Sequence, residues 1–367
     1  MIEIMNKLRI GFLSTAGIGR KNWKAILNSG NCIITAVASR DLERSRRFIA
    51  ECQREYPFEH PPVPLASYEA LLASKDVDAV YVPLPTGLRQ EWVLRAAAAG
   101  KHVVCEKPCA VNTAELQAMI SACRQNGVQF MDGVMFMHSP RLARVREILD
   151  DGKSIGPIRR ISSGFSFYGI GDFFEGNIRV DGKLEPAGCL GDLGWYSIRF
   201  ALWTMNWRLP REVTGRVLKQ SDPISGRAPA PTEFSGELIF DGGVSMGFYC
   251  SFVAALQQWV NIGGQNGWLH LPDFVHPWDS YEPAFTVTRK EIRVTDVEGV
   301  SCPPGVDGIM QGHPTAQDTR MFRNFANQVF SGKLNDDWPM WALKTQQVLD
   351  ACYRSAQTGS AFRMQVE

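Results

Sequence analysis

The pattern of apolar and polar positions changes character once along the chain. In the first part, short apolar and β-branched runs alternate with longer stretches of helical period. Leu8–Leu13, Cys32–Ala38, Ala79–Val82, His102–Cys105 and Val128–Met131 read as buried strands. Ile18–Leu27, Asp41–Glu55, Leu88–Ala99 and Thr113–Gln125 carry the helical spacing between them. Asp41 is placed to cap the second helix, and Gly100 and Gly127 to end the last two. Tyr68–Leu72 starts a short helix, and Tyr56–Pro64, with its four prolines, reads as a loop. Strands that each lead into a helix need crossover connections. This half therefore predicts parallel βαβ units in a doubly wound sheet.

The pattern shifts after about residue 135. Pro140–Asp150 predicts a helix, Ile158–Tyr168 a long strand, Gly169–Gly188 a glycine-rich loop and Leu190–Trp203 a helix. From Val213 to Val297 strand signals dominate: Glu233–Phe240, Val244–Ser251, Trp259–Ile262, Trp268–Leu271, Phe285–Thr288 and Glu291–Val294. Turn residues such as Asp241-Gly242-Gly243 separate them, so they predict one large, mainly antiparallel open sheet. Helices Ala316–Phe330 and Pro339–Gln357 follow. The expectation is an α/β chain of two domains, 1–135 and 136–367. By this count helices cover one face of the second sheet. The other face is expected to bury apolar surface in a homo-oligomer, a dimer or tetramer.

Composition narrows the function classes. The 367 residues exceed what one hydrophobic core usually serves. The 39 Lys+Arg balance 38 Asp+Glu to a net charge of +1, which gives no long-range pull on nucleic acid or a membrane surface. No apolar run has the length of a membrane span. Met1–Lys7 is mixed polar, so no secretory leader is expected and the cytoplasm is the expected compartment. Nine cysteines are scattered with no Cys-x-x-Cys pair. Cys105 and Cys109 lie four apart, but no second pair or histidine cluster completes a metal site. They read as buried reduced thiols, with no metal.

Four stretches carry candidate chemistry. The turn after the first strand runs Ser14-Thr-Ala16-Gly17-Ile18-Gly19. Small residues there let backbone N–H groups approach a pyrophosphate at a helix N-terminus. Of the dinucleotide fingerprint's three glycines, Ser14 and Ala16 replace two and Gly19 is kept, so a plain strand–helix turn fits equally. At the end of the second strand, Ser39-Arg40 offers a hydroxyl and a cation where NAD enzymes place a carboxylate, with Arg44 one turn on. That pair suits the 2′-phosphate of NADP, although alone it reads as a solvated helix start. The strand His102–Cys105 runs into Glu106-Lys107-Pro108. Carboxyl ends of parallel strands are where ligands bind, and a lysine there can donate to a substrate oxygen. Finally, Asp192, Tyr196 and Arg199 recur at i, i+4 and i+7 on an apolar helix flanked by Gly188, Gly191 and Gly194. The glycines suit close approach of another surface, and a solvent-facing stripe is the alternative.

Together these stretches resemble the Gfo/Idh/MocA oxidoreductases, in particular the glucose–fructose oxidoreductase and dimeric dihydrodiol dehydrogenase branch. Ala98–Pro108 and Gly188–Tyr196 carry the resemblance most specifically, with Val82-Pro-Leu-Pro85 a third anchor. Met131–Met135 followed by His138-Ser-Pro140 fits the family's domain-crossing segment. The resemblance implies a Rossmann domain followed by an α/β domain with an open sheet. It makes Lys107 the catalytic lysine, Asp192 and Tyr196 the catalytic Asp-x-x-x-His/Tyr pair, and Arg179 a substrate-side arginine. It assigns Ser14, Ala16, Gly17, Ile18, Ser39, Arg40, Arg44, Pro83, Leu84, Pro85, Thr86, Glu106 and Lys107 to the cofactor. Thr86 and Arg89 stand where the family usually has Asn and His. Met137 and Ser139 replace a common Arg and His.

The function that follows is an NADP-dependent oxidoreductase, with NAD less favoured. It would move a hydride between nicotinamide and a hydroxyl or carbonyl of a sugar, polyol or related alcohol. A glycoside-cleaving or epimerising enzyme with tightly held nicotinamide is one alternative. A non-catalytic NAD(P)-sensing regulator on the same fold is another. In the main reading Lys107 and Tyr196 are expected to converge on one substrate oxygen, the lysine favouring the phenolate. Asp192 would orient the hydroxyl or hold Lys107 charged.

Overall fold

The computed structural model describes residues 7–277, 284–289, 295–299 and 315–365. They fall into two compact units, Met1–Ala110 with Ala114–Ser139 and Gly305–Ala342, and Val111–Thr113 with Pro140–Pro304 and Leu343–Glu367.

The first unit is built on β1 (Leu8–Leu13), β2 (Cys32–Ala38), β3 (Val63–Leu65), β4 (Ala79–Val82), β5 (His102–Cys105) and β6 (Phe130–Asp132). The strand order is β3-β2-β1-β4-β5-β6, and every neighbouring pair is parallel. Strands of a parallel sheet are covered on both faces, which is why these segments are apolar throughout rather than alternating. The helices are α1 (Ile18–Ser29), α2 (Leu42–Glu55), α3 (Tyr68–Ala73), α4 (Thr86–Ala98) and α5 (Thr113–Gln125). The order reverses between β1 and β4, and their carboxyl ends open the crevice where such sheets bind ligands. The proline-rich stretch read as a loop contains the start of β3. Pro64 has no N–H to give, which an edge strand tolerates because only β2 pairs with it.

In the second unit α6 (Pro140–Asp150) precedes β7 (Ile158–Tyr168). The glycine-rich stretch read as a loop holds a helical turn, α7 (Phe173–Gly176), and a 3-10 turn at Ile178–Val180. A π-helical segment, Leu190–Gly194, runs into α8 (Trp195–Thr204). Then come β8 (Glu212–Gln220), β9 (Pro231–Ile239), β10 (Ser245–Ser251), β11 (Val253–Gly264), β12 (Gly267–Leu271), β13 (Ala284–Arg289) and β14 (Thr295–Gly299). The expected strand Glu291–Val294 lies outside the described residues. Helices α9 (Gln317–Phe330) and α10 (Asp337–Thr358) and strand β15 (Phe362–Arg363) complete the chain. The sheet order is β14-β13-β12-β11-β7-β10-β9-β8-β15. All pairs are antiparallel except β7 with β10, so the large sheet is mixed and mainly antiparallel.

Two expectations need correction. The sequence reading placed everything after residue 135 in one domain, yet α9 and the first turn of α10 count with the first unit. A return of this kind leaves no composition signal, because α9 is an ordinary amphipathic helix. The outer sheet face is also mixed in character rather than apolar throughout. It presents Ser235 and Glu237 of β9, Ser245 and Tyr249 of β10, Ser162 of β7, Trp259 and Asn261 of β11, and Trp268 and His270 of β12. Alternation puts the apolar set on the opposite face, as a half-covered antiparallel sheet requires. The apolar side chains of the open face include Ile239, Tyr249, Trp259 and Trp268.

Eight cysteines fall among the described residues, all buried and none in a disulfide. Among the described residues no helix is long and apolar enough to cross a membrane, and no three His, Cys, Asp or Glu side chains gather as metal ligands.

Candidate functional site

The candidates in the first unit begin where β1 ends. Ser14 has φ +143°, a conformation glycine favours, at the place of the fingerprint's first glycine. Its Oγ accepts a hydrogen bond from Ala16 N at 3.3 Å, which ties the turn locally. Gly17 precedes α1, and no side chain caps the helix. A Cβ added at Gly17 would meet open space, so nothing crowds the start of α1 at that point. Ile18 is exposed beside it. A Cβ at Gly19 would lie 3.1 Å from the Phe48 ring, so the glycine that is kept is the one helix–strand packing demands.

At the end of β2, Ser39 is buried while Arg40 and Arg44 are exposed. Neither arginine is held in an ion pair among the described residues. The nearby carboxylate, Asp41, accepts from Glu43 N at 2.9 Å and caps α2. It is spent on the helix, which leaves a hydroxyl and two cations at this strand end.

The ends of β4 and β5 are stapled together by one side chain. Arg89 is 5% exposed. Its Nε donates to the Leu84 carbonyl at 2.7 Å, and its Nη1 donates to the carbonyls of Glu106, at 2.9 Å, and Pro108. It thereby joins Pro83–Thr86 to Glu106–Pro108, where the Lys107–Pro108 peptide is cis. The buried Glu106 carboxylate accepts from the Tyr81 hydroxyl at 2.6 Å, from Asn22 Nδ2 at 3.4 Å and from Lys107 N at 3.3 Å. Asn22 Nδ2 also donates to the Tyr81 hydroxyl at 2.6 Å. Burial first, and the Glu106 charge second, push the Tyr81 phenol well above its ordinary range, so Tyr81 stays a donor. Lys107 is half-buried on this anchored backbone. Sequence reasoning missed Asn22, Tyr81 and the role of Arg89. The available signals were a phenol inside the apolar strand Ala79–Val82 and an amide on the buried stripe of α1.

The second unit holds the other candidates. Gly188 has φ +46°, and a Cβ there would sit 2.1 Å from the Pro231 carbonyl, so the approach to β9 requires glycine. The π-helical turn that follows carries Asp192, and the first turn of α8 carries Tyr196. Asp192 accepts from Arg179 Nε at 2.9 Å. Asp192 first, then Glu185 and Tyr196, favour the charged form of Arg179, and its pKa is raised. Tyr196 is 6% exposed and meets Phe165 edge-on at 5.6 Å. Arg179, Asp192 and Tyr196 thus gather at one place, with Arg179 bonded to Asp192. Arg199 does not join them. It is fully buried, donates to Thr345 Oγ1 at 2.7 Å and lies 5.8 and 5.9 Å from the rings of Trp195 and Trp207. Tyr196 and Arg199 both lie on the regular turns of α8, after the π segment, and the three-residue step between them turns Arg199 into the core, so the i, i+4, i+7 stripe read from the sequence breaks after Tyr196.

Two family models match the chain, the NAD-binding Rossmann domain of the Gfo/Idh/MocA oxidoreductases over residues 8–134 and the Gfo/Idh/MocA C-terminal domain over residues 142–270. The chain belongs to the Gfo/Idh/MocA oxidoreductase family. As a Gfo/Idh/MocA protein it is similar to dTDP-3,4-didehydro-2,6-dideoxy-α-D-glucose 3-reductase of Actinomadura kijaniata, at 29% identity over 96% of each chain. It is also similar to D-xylose 1-dehydrogenase (NADP⁺) 2 of Haloferax volcanii, at 29% identity over 97% of this chain and 100% of the relative. The solved structure of a 3-ketoreductase from Actinomadura kijaniata, in complex with NADP and TDP-benzene, aligns with a TM-score of 0.79 at 26% identity. The alignment covers 95% of this chain and 98% of that one. Family membership makes the chain an oxidoreductase.

The buried network around Glu106 sets a stability test. Tyr81→Phe removes the closest donor to a buried carboxylate. Its expected cost is about 1.5–3 kcal/mol, the value of a hydrogen bond to a charged group, read as a lower urea midpoint at unchanged slope. An unchanged midpoint would show that Glu106 does not depend on Tyr81.

Proposed function

We propose that this enzyme moves a hydride between NADP(H) and a CH–OH or C=O group of a sugar, polyol or related alcohol. The observation that carries the reading is the Arg179–Asp192 pair beside Tyr196. It supplies a phenol with a fixed cation and a carboxylate, in a chain that also has a dinucleotide-type turn. Relatives named as sugar reductases and dehydrogenases support the substrate class.

The residues present fit the cofactor. The uncapped start of α1, with Ser14, Ala16, Gly17 and Ile18, would hold the pyrophosphate. Ser39, Arg40 and Arg44 would hold the 2′-phosphate, with Asp41 withdrawn into its cap. Pro83, Leu84, Pro85, Thr86, Glu106 and Lys107 would line the cofactor from the ends of β4 and β5. When bound, the nicotinamide accepts or delivers the hydride. The protein handles the proton. Tyr196 takes it from the substrate hydroxyl in oxidation and returns it in reduction. A free phenol titrates near 10. The Arg179 guanidinium favours the phenolate, and Asp192 is spent as the partner of Arg179. The Lys107 ammonium donates to the substrate oxygen and offsets its developing charge.

We also propose self-association over the open sheet face, through Trp259, Trp268 and Tyr249. Trp268 is 44% exposed, and aromatic residues are enriched where protein surfaces meet.

Three outcomes test these readings. Arg40→Asp should weaken NADP⁺ binding by about 1.5–3 kcal/mol, roughly 10- to 150-fold in Kd, by calorimetry. Wild-type protein that uses NAD⁺ as well as or better than NADP⁺ overturns the cofactor assignment. In a screen of sugars and polyols followed by nicotinamide absorbance, Tyr196→Phe and Lys107→Met should each lower turnover about 10²–10⁴-fold, with NADP⁺ affinity little changed. Near-full turnover by Tyr196→Phe would pass the proton to Lys107. Light scattering should show more than one subunit for the wild type and a smaller species for Trp268→Glu; a wild-type monomer removes the association.

A further inference from the structure

A cavity of about 370 Å³ lies in the first unit, between the 3-10 turn Met135–His138, helix α9 and the start of α10. Its walls include Trp338, Trp341, His138, Asn324, Asn327 and Gln328. None of these belongs to the dinucleotide turn, to the β4 and β5 ends or to the Arg179 cluster. The volume is within the range of small-molecule sites, about 300–1,000 Å³.

The lining chemistry is specific. No Lys, Arg, Asp or Glu contributes, so the site is not built for a phosphate, a carboxylate or a cation. Asn324, Asn327 and Gln328 sit at i, i+3 and i+4 on one face of α9, normally only a solvated stripe. Here each amide is already oriented by one end. Asn324 Nδ2 bonds His138 Nδ1 at 3.1 Å, and Asn327 Oδ1 accepts from Asn31 Nδ2 at 2.8 Å. Gln328 Nε2 donates to the Lys333 carbonyl at 2.8 Å. That leaves Asn324 Oδ1, Asn327 Nδ2 and Gln328 Oε1, two acceptors and one donor, without a partner among the described residues. The Trp338 indole is 7% exposed, fixed edge-on to His138 at 6.0 Å and stacked with Phe325 at 6.4 Å. Trp341 is half-buried beside it.

We propose that this cavity is a second, non-catalytic binding site for a neutral carbohydrate ring. A pyranose presents hydroxyl groups that both donate and accept, which matches fixed amides with ends of both kinds left over. It also presents a face of C–H bonds with partial positive charge, which matches the negative face of an indole. Because the amides and Trp338 are held before the ligand arrives, binding costs little ordering. The site is open on one side, so affinity is weak, at about millimolar Kd. This inference stands apart from the proposed reaction, since it needs neither turnover nor a bound nicotinamide.

The test titrates the full chain, with and without NADP⁺, with methyl β-D-glucopyranoside, methyl β-D-xylopyranoside and maltose. Tryptophan fluorescence and saturation-transfer NMR report binding. The expected result is a saturable signal from at least one glycoside that survives in Lys107→Met. It should weaken at least about tenfold in Trp341→Ala and Asn324→Ala, while Trp341→Phe restores part of it. Asn324→Ala alters an exposed side chain, so its unfolding midpoint should match wild type and loss of folding does not explain loss of binding. No saturable signal from any glycoside overturns the proposal. So does a signal that disappears in Lys107→Met and persists in Asn324→Ala and Trp341→Ala, which would place all the binding at the catalytic residues.

Discussion

A carboxylate removed from water must be hydrogen-bonded on the spot, and Glu106 imposes that demand at the end of β5. Tyr81 from β4 and Asn22 from α1 meet it, and the Lys107 backbone N–H donates to the carboxylate's other oxygen. The three partners come from a strand, a helix and the exit loop, so satisfying one charge aligns the elements that frame the crevice. Arg89 works on the same loop from the far side, through carbonyls rather than charge. Lys107 is presented on a backbone held at both its edges. A half-satisfied version of such a network would cost more than an apolar one, which makes the arrangement all-or-none.

In the second unit the constraint is geometric. Gly188 lets the chain lie against β9, and the π turn after it aims Asp192 at Arg179 while Tyr196 packs against Phe165. Local widening of a helix is a costly way to place a side chain, and it recurs where function needs it. The sequence reading saw the glycines and the spacing. It could not see the π turn, because a one-residue change of phase leaves the apolar pattern of Leu190–Trp203 intact. Arg199 has the spacing of a polar stripe with Asp192 and Tyr196, yet two indole rings and a threonine hydroxyl enclose it in the core, and those partners are not visible in the spacing.

Most of the first sheet was legible because buried parallel strands write themselves as continuous apolar runs. β1, β2, β4 and β5 have the bounds read for them. Elements whose identity rests on partners rather than on their own residues were not legible. β3 is three residues around a proline, and the return of α9 to the first unit depends on what it packs against. The cofactor-side residues were readable from their positions at strand ends. The polar groups that hold them were not, since Tyr81, Asn22 and Arg89 look like ordinary members of a strand and two helices until their partners across the fold are known.

The proline in β3 has a consequence for how the molecule behaves in a crowded solution. β3 is one of the two outer strands of the six-stranded sheet, and Val63 on it is 57% exposed. An outer strand with a regular row of N–H groups is a template on which another chain can add a strand, the first step towards edge-to-edge aggregation. With Pro64 in the middle of three residues, that row is interrupted, and sheet growth has no register in which to start. The same residue that hid the strand from the sequence reading guards this edge of the sheet.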